Sequence, residues 1–267
     1  MHPLTATRLP SLVAGAGAMG GALIAGWRRA DAIAAGDILI RDPHPGSDAL
    51  AAVTAGAALN PPDLSPARTV IFAVKPQMWR AAAAELAPLI APDAAVISVI
   101  AGVSARDLAE AFAGRPVARV MPTLAAAIGQ GSIALWSADA GLAEDAAALF
   151  APLGAVTRLA DEELMHVATA ASGSAPAYLY AFIEALEAGA AEAGLPADDA
   201  ARMVRATICG AAALLTASGD DPAELRRRVT SPGGTTQAAL AVLAPELPPL
   251  MARAVAAAVA RSRELGG

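Results

Sequence analysis

A glycine-rich segment near the start of the chain, Ser11-Leu-Val-Ala-Gly15-Ala-Gly17-Ala-Met-Gly20, constrains the fold more than any other feature. Its glycines follow the pattern G-x-G-x-x-G between Leu12–Ala14, which is typical of a buried parallel strand, and Ala22–Trp27, which is typical of a helix. In such a unit the first glycine permits a tight turn, the second lets a pyrophosphate approach the backbone, and the third lets the helix pack on the strand. The segment therefore predicts a dinucleotide-binding turn.

The same segment allows a second interpretation as a secretory signal, because residues 12–27 are all uncharged and apolar and follow Arg8. Several glycines weaken a membrane helix, however, and Arg28 and Arg29 follow without a convincing cleavage site. A regular strand-and-helix pattern then continues without a break. This continuity favours the dinucleotide-binding interpretation.

Short β-rich runs alternate with alanine-rich helical runs as far as residue 160, which predicts βαβ units and a doubly wound parallel sheet of the Rossmann type. The β signal then vanishes, so we expect an α/β domain over 1–160 and an all-α domain over 161–267. The predicted strands are Leu12–Gly15, Asp37–Arg41, Thr69–Val74, Ala95–Ile100, Val117–Met121, Ile133–Trp136 and Ala155–Leu159. The predicted helices are Ala18–Ala30, Met78–Ile90, Ala105–Ala113, Leu142–Leu153, Glu162–Thr169, Ala175–Ala193, Ala197–Thr216, Pro222–Val229, Thr235–Leu243 and Pro249–Leu265.

Ligands of an open α/β sheet bind beyond the carboxyl ends of its strands. We therefore expect NADPH or NADH to bind residues at the ends of the first three predicted strands. Residues at the break after the fourth predicted strand are candidates too. The candidates are Gly15, Ala16, Gly17, Ala18, Met19, Gly20, Arg41, Asp42, Ala73, Val74, Lys75, Pro76, Ala101 and Gly102.

Three of these candidates have alternative interpretations. Asp42 lies 22 positions after Gly20, near the spacing of an acid that holds the ribose hydroxyls, but it also suits a plain turn in Asp42-Pro-His-Pro45. A ribose-binding carboxylate would favour NADH, whereas Arg41 beside it would favour NADPH by facing a 2′-phosphate. Lys75 is either a binding residue at a strand end or an ordinary surface lysine.

A second motif, Ser231-Pro-Gly-Gly-Thr-Thr236, precedes a predicted helix in the C-terminal half. The two glycines free the backbone, and the N–H groups and positive dipole end of a helix start suit an anion such as a carboxylate. The alternative is a Pro/Gly turn with a threonine cap. The dinucleotide signature favours the first interpretation, because a small-molecule site is then needed downstream.

Composition excludes several other classes of function. The net charge is −6 and basic residues are not interleaved with aromatics, so nucleic acid is not expected as a partner. No run of about 18 purely apolar residues predicts a membrane span. His2, His44 and His166 lack metal-ligand spacing, and His166 falls on an apolar helix pattern that suits a structural role. The single cysteine, Cys209, lies in an apolar run and is expected in a core, which fits a cytoplasmic protein.

Taken together, these motifs resemble the Δ1-pyrroline-5-carboxylate reductase family over nearly the whole chain. The matching segments are Gly15–Gly20, Ala73–Gln77, Ser98–Ser104, Ala171–Tyr178 and Val229–Thr236. The resemblance implies an NAD(P)H-binding domain followed by a helical domain that forms intertwined homodimers, often assembled into a homodecamer. It also implies that Thr236 places its hydroxyl near the imine nitrogen, and that Ser231, Gly233, Gly234 and Thr235 hold the substrate carboxylate.

One loop departs from the family pattern. The family commonly has Met-Pro-Asn-Thr-Pro where this chain has Met121-Pro-Thr-Leu-Ala125, and the resemblance places this loop, with Met121 and Thr123, near the nicotinamide and substrate. Three hypotheses follow: a pyrroline-5-carboxylate reductase, a related oxidoreductase of another imine or a 3-hydroxy acid, and a non-enzymatic dinucleotide-binding regulator. The hydroxy-acid enzymes use a lysine in the helical domain, and the only lysine here is Lys75. The intact Ser231–Thr236 motif disfavours a regulator.

Overall fold

The computed structural model describes residues 8–265. Its contacts divide the chain into two compact units. The first unit extends through Gly173 and also takes in the C-terminal residues from Ala258 onward, and the second unit comprises Ser174–Ala257.

An eight-stranded sheet forms the centre of the first unit, in the order β3-β2-β1-β4-β5-β6-β7-β8. All pairs are parallel except β6–β7. The sheet confirms the predicted fold class. The strands are β1 Ser11–Ala14, β2 Ile38–Arg41, β3 Ala58–Leu59, β4 Thr69–Phe72, β5 Ala95–Ser98, β6 Val117–Pro122, β7 Gly131–Ser137 and β8 Gly154–Arg158.

Apolar side chains cover both faces of this sheet. Along β1, Leu12 points into one core cluster and Val13 into the other, and both are fully buried. Strand residues alternate between the two faces, so the unbroken apolar runs of the central strands require a layer of helices on each side. The helices of the first unit are α1 Ala18–Arg29, α2 Ser47–Thr54, α3 Trp79–Leu86, α4 Ala105–Ala111, α5 Ala140–Phe150 and α6 Leu164–Ala168.

Three local features of this unit differ from the sequence prediction. Strand β7 runs antiparallel to β6, because the connection between them is a short 3₁₀ turn, Leu124–Ile128. A parallel pair needs a crossover of a dozen or more residues. The structure also contains α2 and the two-residue strand β3, which the alanine-rich pattern of residues 47–59 did not predict.

Residues 161–173 belong to the first compact unit, although their helical character placed them in the second predicted domain. Glu162 accepts hydrogen bonds from the buried Arg119 guanidinium at 2.8 Å and from the Ala105 backbone N–H at 2.7 Å. Met165 packs against Met121 and Ala134. A change of secondary structure along the chain therefore need not coincide with a change of packing partner.

The second unit is helical, as predicted. It contains α7 Ala175–Glu192, α8 Ala197–Ser218, α9 Pro222–Arg228 and most of α10 Thr235–Glu264. The two helices predicted over Thr235–Leu243 and Pro249–Leu265 are one continuous helix, with three prolines inside it, Pro245, Pro248 and Pro249. Residues 241–250 are exposed, so water can replace the N–H donors that the prolines lack.

Many large apolar side chains of the second unit are exposed in the single chain. No residue of α7 is buried, although this helix carries Leu179, Tyr180, Phe182 and Leu186. Cys209 in α8 is also exposed, so the expectation that it packs in a core of this chain is wrong. The reason is that the apolar side of α8 that carries it is not covered within the chain.

Within residues 8–265, two helices, α8 and α10, are long and apolar enough to cross a membrane by length and composition alone. The absence of a long purely apolar run predicts no such segment, but a helix with a few scattered charges still has a high mean hydropathy, so that expectation is wrong for α8 and α10. One or two such helices are weak evidence for a membrane protein, because a core helix of a soluble protein passes the same test.

Candidate functional site

The turn between β1 and α1 is held in place by its glycines. Gly15 adopts a φ of +91°, which side chains other than glycine rarely tolerate, and a Cβ there would lie 2.7 Å from the Ala73 backbone. A Cβ on Gly20 would lie 2.0 Å from the Gly15 carbonyl oxygen. These two glycines therefore permit the close approach of β1, α1 and the residues after β4.

Gly17 differs from its two neighbours in the motif. A Cβ added to Gly17 would have no protein atom within 4 Å, so close packing within the fold does not require glycine here. Gly17 is the N-cap of α1 and no side chain caps this helix, whose first N–H groups have no intrahelical acceptors. An open space in front of a bare helix N-terminus fits a pyrophosphate.

The Asp42 carboxylate is bound to backbone rather than free. Its Oδ2 accepts a hydrogen bond from the Ala16 N–H at 2.6 Å, and its Oδ1 accepts one from the His44 N–H at 2.7 Å. Asn60 holds the Asp42 backbone from the other side, through bonds of 3.0 Å and 2.9 Å to its N–H and carbonyl. This geometry supports a role in holding the glycine turn.

Arg41 at the end of β2 faces a cleft of about 440 Å³ at the carboxyl ends of β1, β2 and β4. Its guanidinium donates to the Glu85 carboxylate of α3 at 2.7 Å. Val74, Met78 and Leu86 give the cleft an apolar side. An apolar cleft with a few polar groups at this edge of the sheet has the character of an adenosine site.

The remaining candidates of the first unit follow β4, β5 and β6. Ala73 extends the pairing of β4 by donating to the Ala14 carbonyl at 2.8 Å, and Val74 lines the cleft. Lys75 and Pro76 are exposed at the start of a 3₁₀ turn. Ala101 and Gly102 lie three and four residues beyond the end of β5, where Gly102 has a φ of +84°.

The loop that departs from the family pattern begins with buried residues. Met121 and Thr123 are 7% exposed. The Thr123 hydroxyl accepts a hydrogen bond from the Ser132 N–H at 3.1 Å, and the Thr123 N–H donates to the Ser132 carbonyl at the same distance. Leu124, in contrast, is exposed. Thr123 therefore helps to pair this loop with the start of β7.

The second motif lies in the second unit and forms a turn that leads into α10. Gly233 adopts a φ of +71°, and its N–H donates to the Gln237 side-chain oxygen at 2.5 Å. The Gly234 N–H donates to the Ser231 carbonyl at 3.1 Å. Helix α10 then begins at Thr235, so Thr235 and Thr236 are its first two residues, and their N–H groups have no acceptor within the helix.

Several residues of these sites were missed by the sequence analysis. Glu85 and Asn60 reach the cleft from α3 and from just after β3, and no local motif marks either of them. Gln237 does carry a local signal, because a glutamine in the first turn of a helix commonly accepts hydrogen bonds from N–H groups before the helix.

No group of three or more potential metal-ligating side chains occurs among residues 8–265. His44 is exposed, and His2 lies outside the described residues. His166 is buried, and its Nδ1 lies 2.9 Å from the Ser262 hydroxyl. Burial lowers the pKa of His166, and the positive charge of Arg119 lowers it further.

Comparison with known proteins agrees with this arrangement. A family model described as pyrroline-5-carboxylate reductase dimerisation matches residues 162–265, and one described as NADP oxidoreductase, coenzyme F420-dependent, matches residues 12–102. The pyrroline-5-carboxylate reductase of Pseudomonas aeruginosa is 37% identical over 262 residues, which cover 94% of each chain. The chain belongs to the pyrroline-5-carboxylate reductase family.

Two further members of the family are similar to this chain. The enzyme of Pisum sativum is 40% identical over 200 residues, 73% of each chain. The solved structure of a pyrroline-5-carboxylate reductase from Coxiella burnetii superposes with a TM-score of 0.88 at 26% identity, and covers 97% of this chain and 99% of that one. The dimerisation model covers the exposed apolar helices α7 and α8, which supports a homo-oligomer.

Proposed function

We propose that this protein reduces the cyclic imine Δ1-pyrroline-5-carboxylate to proline, by transfer of a hydride from NAD(P)H. The observation that carries the proposal is the 37% identity to the Pseudomonas aeruginosa reductase over 94% of both chains. The geometry adds independent support, because the chain presents a dinucleotide turn at Gly15–Gly20 and an anion-binding turn at Ser231–Thr236.

The first unit holds the cofactor. The N–H groups at the start of α1, beside the open space at Gly17, would bind the pyrophosphate, and the cleft beside Arg41 would hold the adenosine. The residues after β4 and β5, with Met121 and Thr123, would line the rest of the dinucleotide. When bound, NAD(P)H supplies the hydride that reduces the carbon–nitrogen double bond.

The turn before α10 holds the substrate. The N–H groups of Thr235 and Thr236, together with the backbone at Gly233 and Gly234 and the Ser231 hydroxyl, would bind the carboxylate. The Gly233 N–H is occupied by the Gln237 side chain, so Gln237 must move or share this donor when the carboxylate enters. The Thr236 hydroxyl would orient the imine nitrogen.

Protonation of the imine before hydride transfer explains why no catalytic acid is needed. An iminium accepts hydride far better than a neutral imine, so orientation and polarity are the main contributions of the protein. A proton relayed through water by the Thr236 hydroxyl would reach the nitrogen before the hydride does, because hydride addition to the iminium gives the neutral amine directly. The altered Thr123–Ala125 loop leaves open a different small imine as substrate, and that is the alternative to test.

The exposed apolar faces of α7 and α8 support a homodimer built from the helical units, which we propose can assemble further into a homodecamer. Burial of these faces between copies would leave them unavailable to a membrane, which fits the cytoplasmic enzyme that we propose. Light scattering at micromolar concentration should give the mass of at least a dimer. A monomeric mass would contradict this assembly.

Proline formation from pyrroline-5-carboxylate, measured with NADH and NADPH side by side, tests the function. We expect turnover with at least one of the two cofactors and its loss in Gly20→Ala, which cannot keep the dinucleotide turn. An enzyme that binds either dinucleotide yet forms no proline, but reduces another cyclic imine, would favour the alternative substrate.

A further inference from the structure

Two opposite charges meet across the cleft at the adenosine end of the proposed dinucleotide site. Arg41 reaches it from the end of β2 and Glu85 from the last turn of α3, with 2.7 Å between Nη2 and Oε1. Their side chains are 36% and 60% exposed, so both remain accessible to a ligand. Among the described residues that line this cleft, Arg41 and Glu85 alone carry charges.

Asp42 does not take part in this arrangement. Both of its carboxylate oxygens accept backbone hydrogen bonds, from Ala16 and His44, and Asp42 is not among the residues that line the cleft. The acid that a ligand would meet next to Arg41 is therefore Glu85, which lies 44 positions after Arg41 in the chain.

We propose that Glu85 sets the preference between NADPH and NADH, by competing with the 2′-phosphate of NADPH for the Arg41 guanidinium. This inference rests on the dinucleotide site proposed above. A 2′-phosphate that binds Arg41 must displace Glu85 or stay close to its negative charge. The ribose of NADH carries no such charge, so the Arg41–Glu85 pair can persist when NADH binds.

The expected effect is moderate. An exposed ion pair is weak, and interactions between accessible charges are screened by salt. Removal of the Glu85 charge should therefore tighten binding of a 2′-phosphorylated ligand roughly three- to tenfold at low ionic strength, and less at high ionic strength. The affinity for a ligand without the 2′-phosphate should stay within about twofold.

The test uses ligands that represent only the adenosine end. Calorimetric titration of the purified full chain with adenosine 2′,5′-bisphosphate and with 5′-AMP isolates the 2′-phosphate, and NADP⁺ and NAD⁺ repeat the comparison with whole dinucleotides. Glu85→Gln should tighten the two 2′-phosphorylated ligands selectively. Arg41→Gln should weaken them, and in the double variant the gain from Glu85→Gln should disappear.

Asp93→Asn is the matched control. Asp93 accepts from Arg68 at 3.1 Å in another exposed ion pair, located before β4 and β5 at the amino ends of the strands. Like Glu85→Gln, the Asp93→Asn substitution removes one negative charge from the first unit, but at a position away from the cleft. An unchanged preference in Glu85→Gln, an equal shift for both kinds of ligand, or the same shift in Asp93→Asn would overturn the inference.

None of these titrations depends on the imine reaction. Selective tightening in Glu85→Gln together with an absence of proline formation would refute the proposed substrate and leave the role of Glu85 standing. Failure of the wild-type chain to bind any of the four ligands would overturn the role of Glu85 and the dinucleotide site together.

Discussion

The carboxylate of Asp42 accepts a hydrogen bond from the backbone N–H of Ala16 at 2.6 Å, which ties the end of β2 to the glycine turn that follows β1. The sequence suggested that the same carboxylate holds a ribose and repels a 2′-phosphate. The geometry supports a role in holding the turn, because each of the two carboxylate oxygens accepts a backbone hydrogen bond, from Ala16 and from His44.

Asp42→Asn should weaken binding of NADH and NADPH by a similar factor. The amide keeps one oxygen acceptor but presents an NH₂ group to one of the two backbone N–H donors. The lost hydrogen bond to a charged group costs about 1.5–3 kcal/mol. Fluorescence titration with both cofactors measures the effect. A variant that gains affinity for NADPH relative to NADH would instead restore the ribose role of Asp42.

Gly17→Ala and Gly20→Ala should separate binding from folding. A Cβ at Gly17 meets no protein atom, so Gly17→Ala should keep the melting temperature. The added methyl group should obstruct the pyrophosphate. Loss of one charge-assisted hydrogen bond corresponds to roughly 10–100-fold weaker binding. A Cβ at Gly20 would lie 2.0 Å from the Gly15 oxygen, so Gly20→Ala should lower the melting temperature. Normal dinucleotide affinity in Gly17→Ala would contradict the assigned pyrophosphate position.

The strands of the first unit could be predicted from sequence because their signal is local. Runs such as Val70-Ile-Phe and Ala95-Val-Ile are buried on both faces of the sheet, and a short apolar run bounded by turn residues is typical of that environment. The direction of β7 and the continuity of α10 through Pro245 depend on connection geometry and solvent exposure. The local hydrophobic periodicity of the sequence predicts neither of these two features.

Long-range polar partners could not be predicted for the same reason. The guanidinium of the buried Arg115 donates to four backbone carbonyls, those of Ala87, Ile90, Ala91 and Phe112, yet nothing in its surrounding sequence distinguishes it from a surface arginine. Asn60 and Glu85 reach the cleft beside Arg41 in the same way. Sequence motifs predict the backbone of the proposed site, whereas these side chains come from elements distant along the chain.

Replacement of Thr123 tests the altered loop. Thr123→Val keeps the shape but removes the acceptor of the Ser132 N–H, and because Ser132 is exposed this should destabilise the fold by about 0.5–1.5 kcal/mol. Thr123→Asn retains a carbonyl acceptor and restores the side chain common in the family, so we expect it to change the Michaelis constant for substrate or cofactor. If Thr123→Asn leaves every kinetic constant unchanged, the loop serves structure alone.

His166 should make stability depend on pH. Burial lowers the pKa of His166 in the folded chain, so the unfolded chain binds its proton more readily. The stability it contributes is fully present above the unfolded pKa of about 6.5 and is lost as the pH falls through the lower folded value. Melting temperatures at pH 7.5 and 5.5, at fixed protein concentration, should differ less in His166→Gln than in wild type. The exposed His44→Gln is the control and should keep the wild-type difference.

Thr236→Ala tests the catalytic assignment. Helix α10 begins at Thr235, so the N-cap position belongs to Gly234 and Thr236 is the second helical residue, which is not placed to cap the helix. Loss of its hydroxyl should therefore have little effect on stability. If the hydroxyl orients the imine nitrogen, kcat should fall roughly 10²–10³-fold, as for other positioned polar groups in active sites.

The dinucleotide affinity of Thr236→Ala should stay normal, because Gly15–Gly20 lie in the other compact unit. Thr54→Ala serves as the control, since Thr54 is an exposed helical threonine of the first unit whose hydroxyl donates to the Leu50 carbonyl. Turnover, melting temperature and NADPH titration on the same samples distinguish the two roles. Near-normal turnover with a lowered melting temperature would assign Thr236 to the stability of the turn and remove it from catalysis.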